Sequence, residues 1–475
     1  MAYKYGDRNQ INMFPASIEE YVSEDDPVRA YDAFVEALDF NGLGIVIDEN
    51  KVGNSEYDPK AMLKLLIYGY SYGIRSSRKL ERAIHHNVSF IWLTGGLKPD
   101  HKTIAEFRRK NKKTLQRVLK QCARLCIKLK LIEGNTLFVD GSKIRANAAL
   151  DNRWTEEKCR KYLKKIDARI DDILTECETV DLDEQDSSSI VKLHEELNNK
   201  NKLKEKIGRA LEELQKEEKD NTNSTDPDSV RIKSRKGTHT GYSAEIVVDE
   251  KHGLIVNSDV VSENNDLKQF ANQINQANEV LENKCEIACG DAGFSNTSEL
   301  EKIDDQGIKV IVPTSRQASK KDVSRFDKMN FKYDSVKDCY ICPAGQELLP
   351  KHILEKRKTK KYMLPNRSDC SKCKYFGQCT TSMRGRTIDR KYSAEARERF
   401  ERQYNTPLSQ EIYRLRKQKV ELPFGHMKHN LKFDGFLLRR SNGVKAEMAI
   451  MGTCFNLTRM ISILGGVPAL IECLS

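Results

Sequence analysis

The sequence predicts a mixed α/β core, preceded by an all-α N-terminal region and interrupted by a helical hairpin and a Cys-rich block. Three observations carry this prediction. Short β-branched and apolar runs recur at 136–139, 242–249, 254–261, 285–291 and 308–312, and amphipathic stretches separate the later ones. Residues 1–133 hold apolar residues at helical spacing between cap signals. Residues 159–177 place Cys159, Leu163, Ile166, Ile170, Ile173 and Cys177 on a heptad seam. The resulting divisions are 1–133; 134–150 with 230–314; 151–229; 315–395; and 396–475. A chain of 475 residues is long enough for two or three such cores.

In the N-terminal region, Asp58-Pro59 offers an N-cap with proline at the first helical position, and the apolar AMLKLLIYGYSYG that follows reads as buried. Ser76 or Ser77 can cap a short basic helix through His86. Thr103-x-x-Glu106 reads as a capping box opening one long basic helix to about residue 131. Two basic helices joined through a Gly/Pro-containing connection suggest a helix-turn-helix.

The stretch NTLFVDGSKIR reads as a buried strand between Gly134 and Gly141 that delivers Asp140 to its end. The acidic segment 151–229, net −7, reads as an antiparallel helical hairpin. Its second helix carries Ile190, Leu193, Leu197, Leu203, Ile207, Ala210 and Leu214, and DLDEQDSSS is the loop. That acidity suits an architectural or dimerising role. From 241 the order is strand, Gly253 turn, strand, a helix over about 265–283, a strand ending at Asp291, a helix over 295–306, and a strand stopped by Pro313. Glu421 follows Val420 in a basic, helical run, with Pro423 expected to kink it.

The net charge is +11, yet its distribution says more. Between Arg75 and Lys130 sixteen Lys or Arg face three acids, and between Lys351 and Lys391 thirteen face three. Such blocks suit a polyanion, because each neutralised phosphate releases counterions. The N-terminus lacks the apolar core of a signal peptide, and the longest apolar stretch, 460–474, is too short to span a bilayer. A soluble, cytoplasmic protein without a membrane partner is the expectation. Thirteen cysteines then argue for reduced thiols and metal ligation over disulfides.

Asp140, Asp291 and Glu421 are the expected catalytic carboxylates. Three acids converging would repel one another, and two Mg²⁺ or Mn²⁺ ions relieve this while activating a water or 3′-hydroxyl for phosphoryl displacement. Taken singly, Asp140 before Gly141 and Asp291 in GDAG also fit turn chemistry. A second metal signature is Cys339-x-x-Cys342 and Cys370-x-x-Cys373, 27 residues apart and followed by Cys379. It matches a structural Zn²⁺ knuckle whose ligand set stays open among the five. Cys122, Cys126, Cys285, Cys289 and Cys454 sit in apolar patterns and read as core.

VDGSKIRANA, ACGDAGFSN and VELPFGHMKHNLKFDGFLLR resemble the three acidic motifs of bacterial insertion-sequence transposases of the DDE type. YDPKAMLKLLIYGYSYGIRSSRKLERA and KPDHKTIAEFR resemble the helical N-terminal domain of that group, so the likeness covers nearly the whole chain. The resemblance implies a ribonuclease H-like mixed sheet with helices, and places Asp140, Asp291 and Glu421 as the metal-binding D, D and E. It implies phosphodiester hydrolysis and transesterification on DNA, acting on terminal inverted repeats and target DNA, with a homodimer in the synaptic complex. Lys428, seven positions after Glu421, stands where relatives place a lysine on the transposon end, and Arg416, Arg439, Arg108 and Arg109 are the further DNA-facing residues expected. Tyr413 and Arg416 lie one residue further from Glu421 than in the related pattern. The rivals are a non-transposing nuclease or resolvase with the same core, and a catalytically dead zinc-containing DNA-binding protein.

Overall fold

The computed structural model describes every residue except 1–16, 46–55, 183–186, 217–219, 235–236, 264–265, 320–323 and 367. The expectation about the first ten residues therefore lies outside the described residues, as do the side chains of Cys177 and Ile190. The chain forms two units: 1–266 with 272–285 and 416–475, and 267–271 with 286–415.

The first unit is built on β1 (Thr136–Arg145), β2 (Val230–Ser234), β3 (Gly237–Asp249) and β4 (Ile255–Val261), all antiparallel where they pair. β3 is the shared strand. Its start pairs with β2 and its end with β4, while Gly241 to Asp249 also ladder with β1. Gly253, at φ +70°, makes the expected turn between β3 and β4. The helix Ser441–Leu464 is buried along most of its length and packs on β4. Its Asn456 exchanges both amide hydrogen bonds with the backbone of Ile255, at 2.8 Å each, which satisfies a buried strand edge.

The N-terminal helices pack on the same core. Asp58 caps Pro59–Ser71 as expected, accepting from the Lys60 and Ala61 amides. Further on the prediction fails twice. Asp100, not Thr103, is the cap, accepting from Thr103 N at 2.7 Å. The long basic helix is two, His101–Lys110 and Lys112–Lys128, because the Asn111 amide bonds back to Phe107 O at 2.9 Å.

Two paired helices stand where the hairpin is predicted, and they run into the expected loop, the first through Leu182 and the second from Ser187. Helices Glu156–Leu182 and Ser187–Lys216 bury Cys159, Ile166, Ile207, Ala210 and Leu214 with Trp154. Arg169 to Glu196 at 3.1 Å and Lys204 to Asp167 at 2.6 Å pair the two helices.

In the second unit, β5 (Ile287–Cys289) and β6 (Lys309–Ile311) are parallel, joined through the helix Thr297–Asp304. A separate antiparallel sheet follows: β7 (Lys332–Asp334), β8 (Cys339–Ile341), β9 (Glu347–Leu354), β10 (Thr359–Met363) and β11 (Thr387–Lys391), in spatial order β11-β10-β9-β8-β7. Phe331, Tyr340, Leu348, Tyr362, Leu364 and Ile388 form its core. No single helix among the described residues is long and apolar enough to cross a membrane.

Candidate active site and cysteine cluster

Asp140 lies in the middle of β1, opposite Ile246, and not at a strand end. The reason is across the ladder. Gly141 faces Glu245, whose oxygens would lie 2.6 and 2.8 Å from any Cβ at that position. The Asp-Gly pair is thus a close approach inside a strand and not a turn. Behind it, Lys143 Nζ sits 2.5 Å from Asp266 and 2.8 Å from Ser243 Oγ, and Ser243 donates to Glu245 at 2.5 Å. Burial pushes the Glu245 carboxyl well up, and the neighbouring Asp266 adds to this. Gly141→Ala should cost about 1–3 kcal/mol in chemical denaturation, as overpacking does, and Glu245→Ala in that background should recover part of it. An unaltered midpoint for Gly141→Ala would mean that the strand tolerates the methyl group.

The acid-bearing face of β1 meets the helix Pro407–His429. Arg416 Nη1 lies 3.3 Å from Asp140 Oδ1, both side chains being mostly buried at 13% and 19% exposure. Lys428 Nζ donates to Ser142 Oγ at 2.7 Å. Glu421 and Lys428 are seven residues apart, two helical turns, and so share one side of the helix. Of the two, Lys428 is the one with that hydrogen bond to β1. Glu421 itself is exposed, while Val420 beside it is buried. Pro423 lies inside the helix, which continues to His429.

Asp291 belongs to the second unit. It follows Gly290 at the end of β5 and caps the short turn Ala292–Phe294, accepting from Gly293 N at 2.8 Å. Of the expected DNA-facing residues, Arg109 and Arg439 are exposed, Arg109 pairing with Glu106 and Arg439 donating to Asn147 O at 3.0 Å. Arg108 is a correction. It is 8% exposed and donates to Tyr70 Oη at 3.1 Å and Arg75 O at 2.9 Å, because its side of the helix faces Pro59–Ser71. It is a packing residue. Tyr413 stacks edge-on against Tyr404, ring centroids 5.2 Å apart.

The five expected zinc cysteines separate. Cys339 is fully buried on β8, whereas Cys342, Cys370, Cys373 and Cys379 are half-buried and line one cavity of about 40 Å³. Cys122, Cys126, Cys285, Cys289 and Cys454 are core residues, as expected. Among the described residues, no three His, Cys, Asp or Glu side chains are placed as a group that could hold a metal ion. Sequence reasoning did not single out Ser142, Glu245 or the buried Arg75–Glu447 pair, although Ser142 and Arg75 lie within the stretches that carry the family resemblance.

Residues 16–110 match a family model described as a transposase domain (DUF772), and residues 341–461 match one described as a transposase DDE domain. The second stretch includes Glu421, Lys428 and the four clustered cysteines; Asp140 and Asp291 lie outside it. No curated protein and no solved structure matches the chain. A DDE domain implies a ribonuclease H-like core and the use of divalent ions such as Mg²⁺. With a transposase model matched toward each end, the two matches support a DDE-type transposase of an insertion sequence.

Proposed function

We propose that the protein cleaves DNA at the ends of its insertion sequence and transfers those ends to target DNA, with Asp140, Asp291 and Glu421 as the carboxylates that hold two Mg²⁺ or Mn²⁺ ions. The observation that carries this reading is the placement of the Glu421 helix against the Asp140 strand, with Arg416 on Asp140 and Lys428 on Ser142. The donor chemistry fits, since carboxylate oxygens are hard ligands suited to Mg²⁺. When bound, the ions supply an activated water or 3′-hydroxyl and stabilise the leaving oxygen.

The residues of the chain do the rest. Arg416 offsets the charge of the mostly buried Asp140. Lys428 brings an ammonium to the strand beside the carboxylate, where it can meet a phosphate as a point charge. Arg439 and Arg109 are exposed and can contact backbone phosphates. The substrates are the element's terminal inverted repeats and target DNA in the bacterial cytoplasm, held by two copies of the chain.

The test is joining, not cutting. Purified protein given a pre-cleaved element end and a supercoiled target should produce joined molecules in Mg²⁺ and none in excess chelator. Concerted joining of two ends, in preference to single-end products, reports the two-copy complex. Cleavage without joining would replace this reading with a nuclease or resolvase, and neither activity would leave a DNA-binding protein.

A further inference from the structure

We infer that Cys342, Cys370, Cys373 and Cys379 are the four ligands of a structural zinc ion, and that Cys339, despite its Cys-x-x-Cys spacing, is not. The four thiols come from three turns. Cys342 follows β8 in a tight loop closed by Cys342 N to Gln346 O at 2.9 Å and Gly345 N to Cys342 O at 2.8 Å, with Gly345 at φ +81°. Cys370 lies on the helical turn Ser368–Ser371, and Cys373 follows it in a turn with Cys373 N bonded to Cys370 O at 3.2 Å. Cys379 closes the next turn, its amide bonded to Tyr375 O at 2.9 Å.

Two features distinguish this cluster from ordinary core thiols. Backbone amides already point at two of the sulfurs: Gln346 N to Cys342 Sγ at 3.4 Å and Arg386 N to Cys370 Sγ at 3.5 Å. Donors of this kind favour the thiolate, which is the metal-binding form. Exposure separates the two sets as well. Cys339, like Cys122 and Cys454, is 0% exposed, as expected of a small apolar core residue, whereas the four clustered cysteines are only partly buried and line one cavity together.

Four sulfurs on short loops match the soft, tetrahedral set that selects zinc. As placed, the thiols line the cavity without forming a closed ligand group. Binding would draw them in by side-chain rotation to Zn–S bonds of about 2.3 Å. It converts four thiols to thiolates and releases their protons, leaving a doubly negative centre beside Arg386. The ion would tie the loop after β8 to the 370–379 loop, a join now made by a small apolar cluster.

The test uses the full chain and needs no DNA, so it stands or falls apart from the transposition reading. Purified wild-type protein and Cys339→Ser should each carry about one equivalent of zinc by elemental analysis, and Cys342→Ser and Cys373→Ser should each carry less than about a tenth. Because a serine variant can misfold, wild-type protein exchanged into Co²⁺ gives a second reading: an intense tetrahedral thiolate spectrum is expected. Loss of the ion from Cys339→Ser, absence of any metal from wild type, an octahedral Co²⁺ spectrum, or iron with acid-labile sulfide in place of zinc would each overturn the assignment.

Discussion

Asp140→Asn is expected to lower strand cleavage by about 10³-fold or more, since a metal ion supplies several kcal/mol of transition-state stabilisation and each 1.36 kcal/mol is tenfold in rate. The substitution keeps the shape of the side chain and removes only its charge. Its cost to stability should lie between the exposed-pair scale of under about 1 kcal/mol and the roughly 3–5 kcal/mol of a stripped buried pair, because the pair with Arg416 is mostly buried but the amide oxygen can still accept from it. DNA binding should persist or tighten, as a negative charge beside the phosphates is removed. End-labelled repeat DNA in a nicking assay measures the first quantity and a gel shift the second. Cleavage within tenfold of wild type, with the fold intact by circular dichroism, would remove Asp140 from the catalytic set. Asp291→Asn and Glu421→Gln should give the same separation of cutting from binding.

How far such a site can be read from sequence depends on whether its determinants are local. The strand at Thr136–Val139 is legible because β-branched and apolar residues run together. Its continuation to Arg145 is not, since Asp-Gly signals a turn and the reason against it, Glu245, lies a hundred positions away on β3. The hairpin is legible for the opposite reason, as its seam is a repeating pattern within each helix. The break at Asn111 was missed because one side-chain hydrogen bond decides it. The sheet β7–β11 gave no strand signal: β9 is exposed along most of its length, and β10 carries Lys360 and Lys361 at its centre. Cysteine spacing pointed to metal and left the ligand set open among five, because spacing does not reveal that Cys339 is held in a strand interior and Cys342 in the loop beyond.

Arg75→Ala is expected to destabilise the first unit by about 3–5 kcal/mol, the scale for stripping one partner from a buried pair. Glu447 is fully buried on the helix Ser441–Leu464, where Oε2 accepts from the Leu437 and Leu438 amides at 2.9 and 3.0 Å and Oε1 from Arg75 at 2.9 Å. Arg75 also donates to Gly435 O at 2.8 Å and Lys432 O at 3.2 Å, and its guanidinium lies 5.1 Å from the centre of the Phe433 ring. Lysine has no planar fork to reach all of these acceptors, so Arg75→Lys should recover little. Burial pushes the Glu447 carboxyl up and Arg75 pulls it back, so removing the arginine raises it further. A carboxyl with a raised folded pKa favours the fold at low pH and loses that contribution as pH rises through the folded value. The penalty of Arg75→Ala should therefore be larger at neutral pH than at acidic pH, and Glu447→Gln in the same background should shrink it. Urea denaturation at the two pH values decides the matter, and a cost below about 1 kcal/mol at neutral pH would show that the carboxylate finds other compensation. The consequence reaches the site, because the segment Arg75 holds, from Lys432 to Leu438, begins three residues after the helix that presents Glu421 and Lys428. Loss of this one side chain should weaken Lys428's hold on Ser142 as well as the packing of the N-terminal helices.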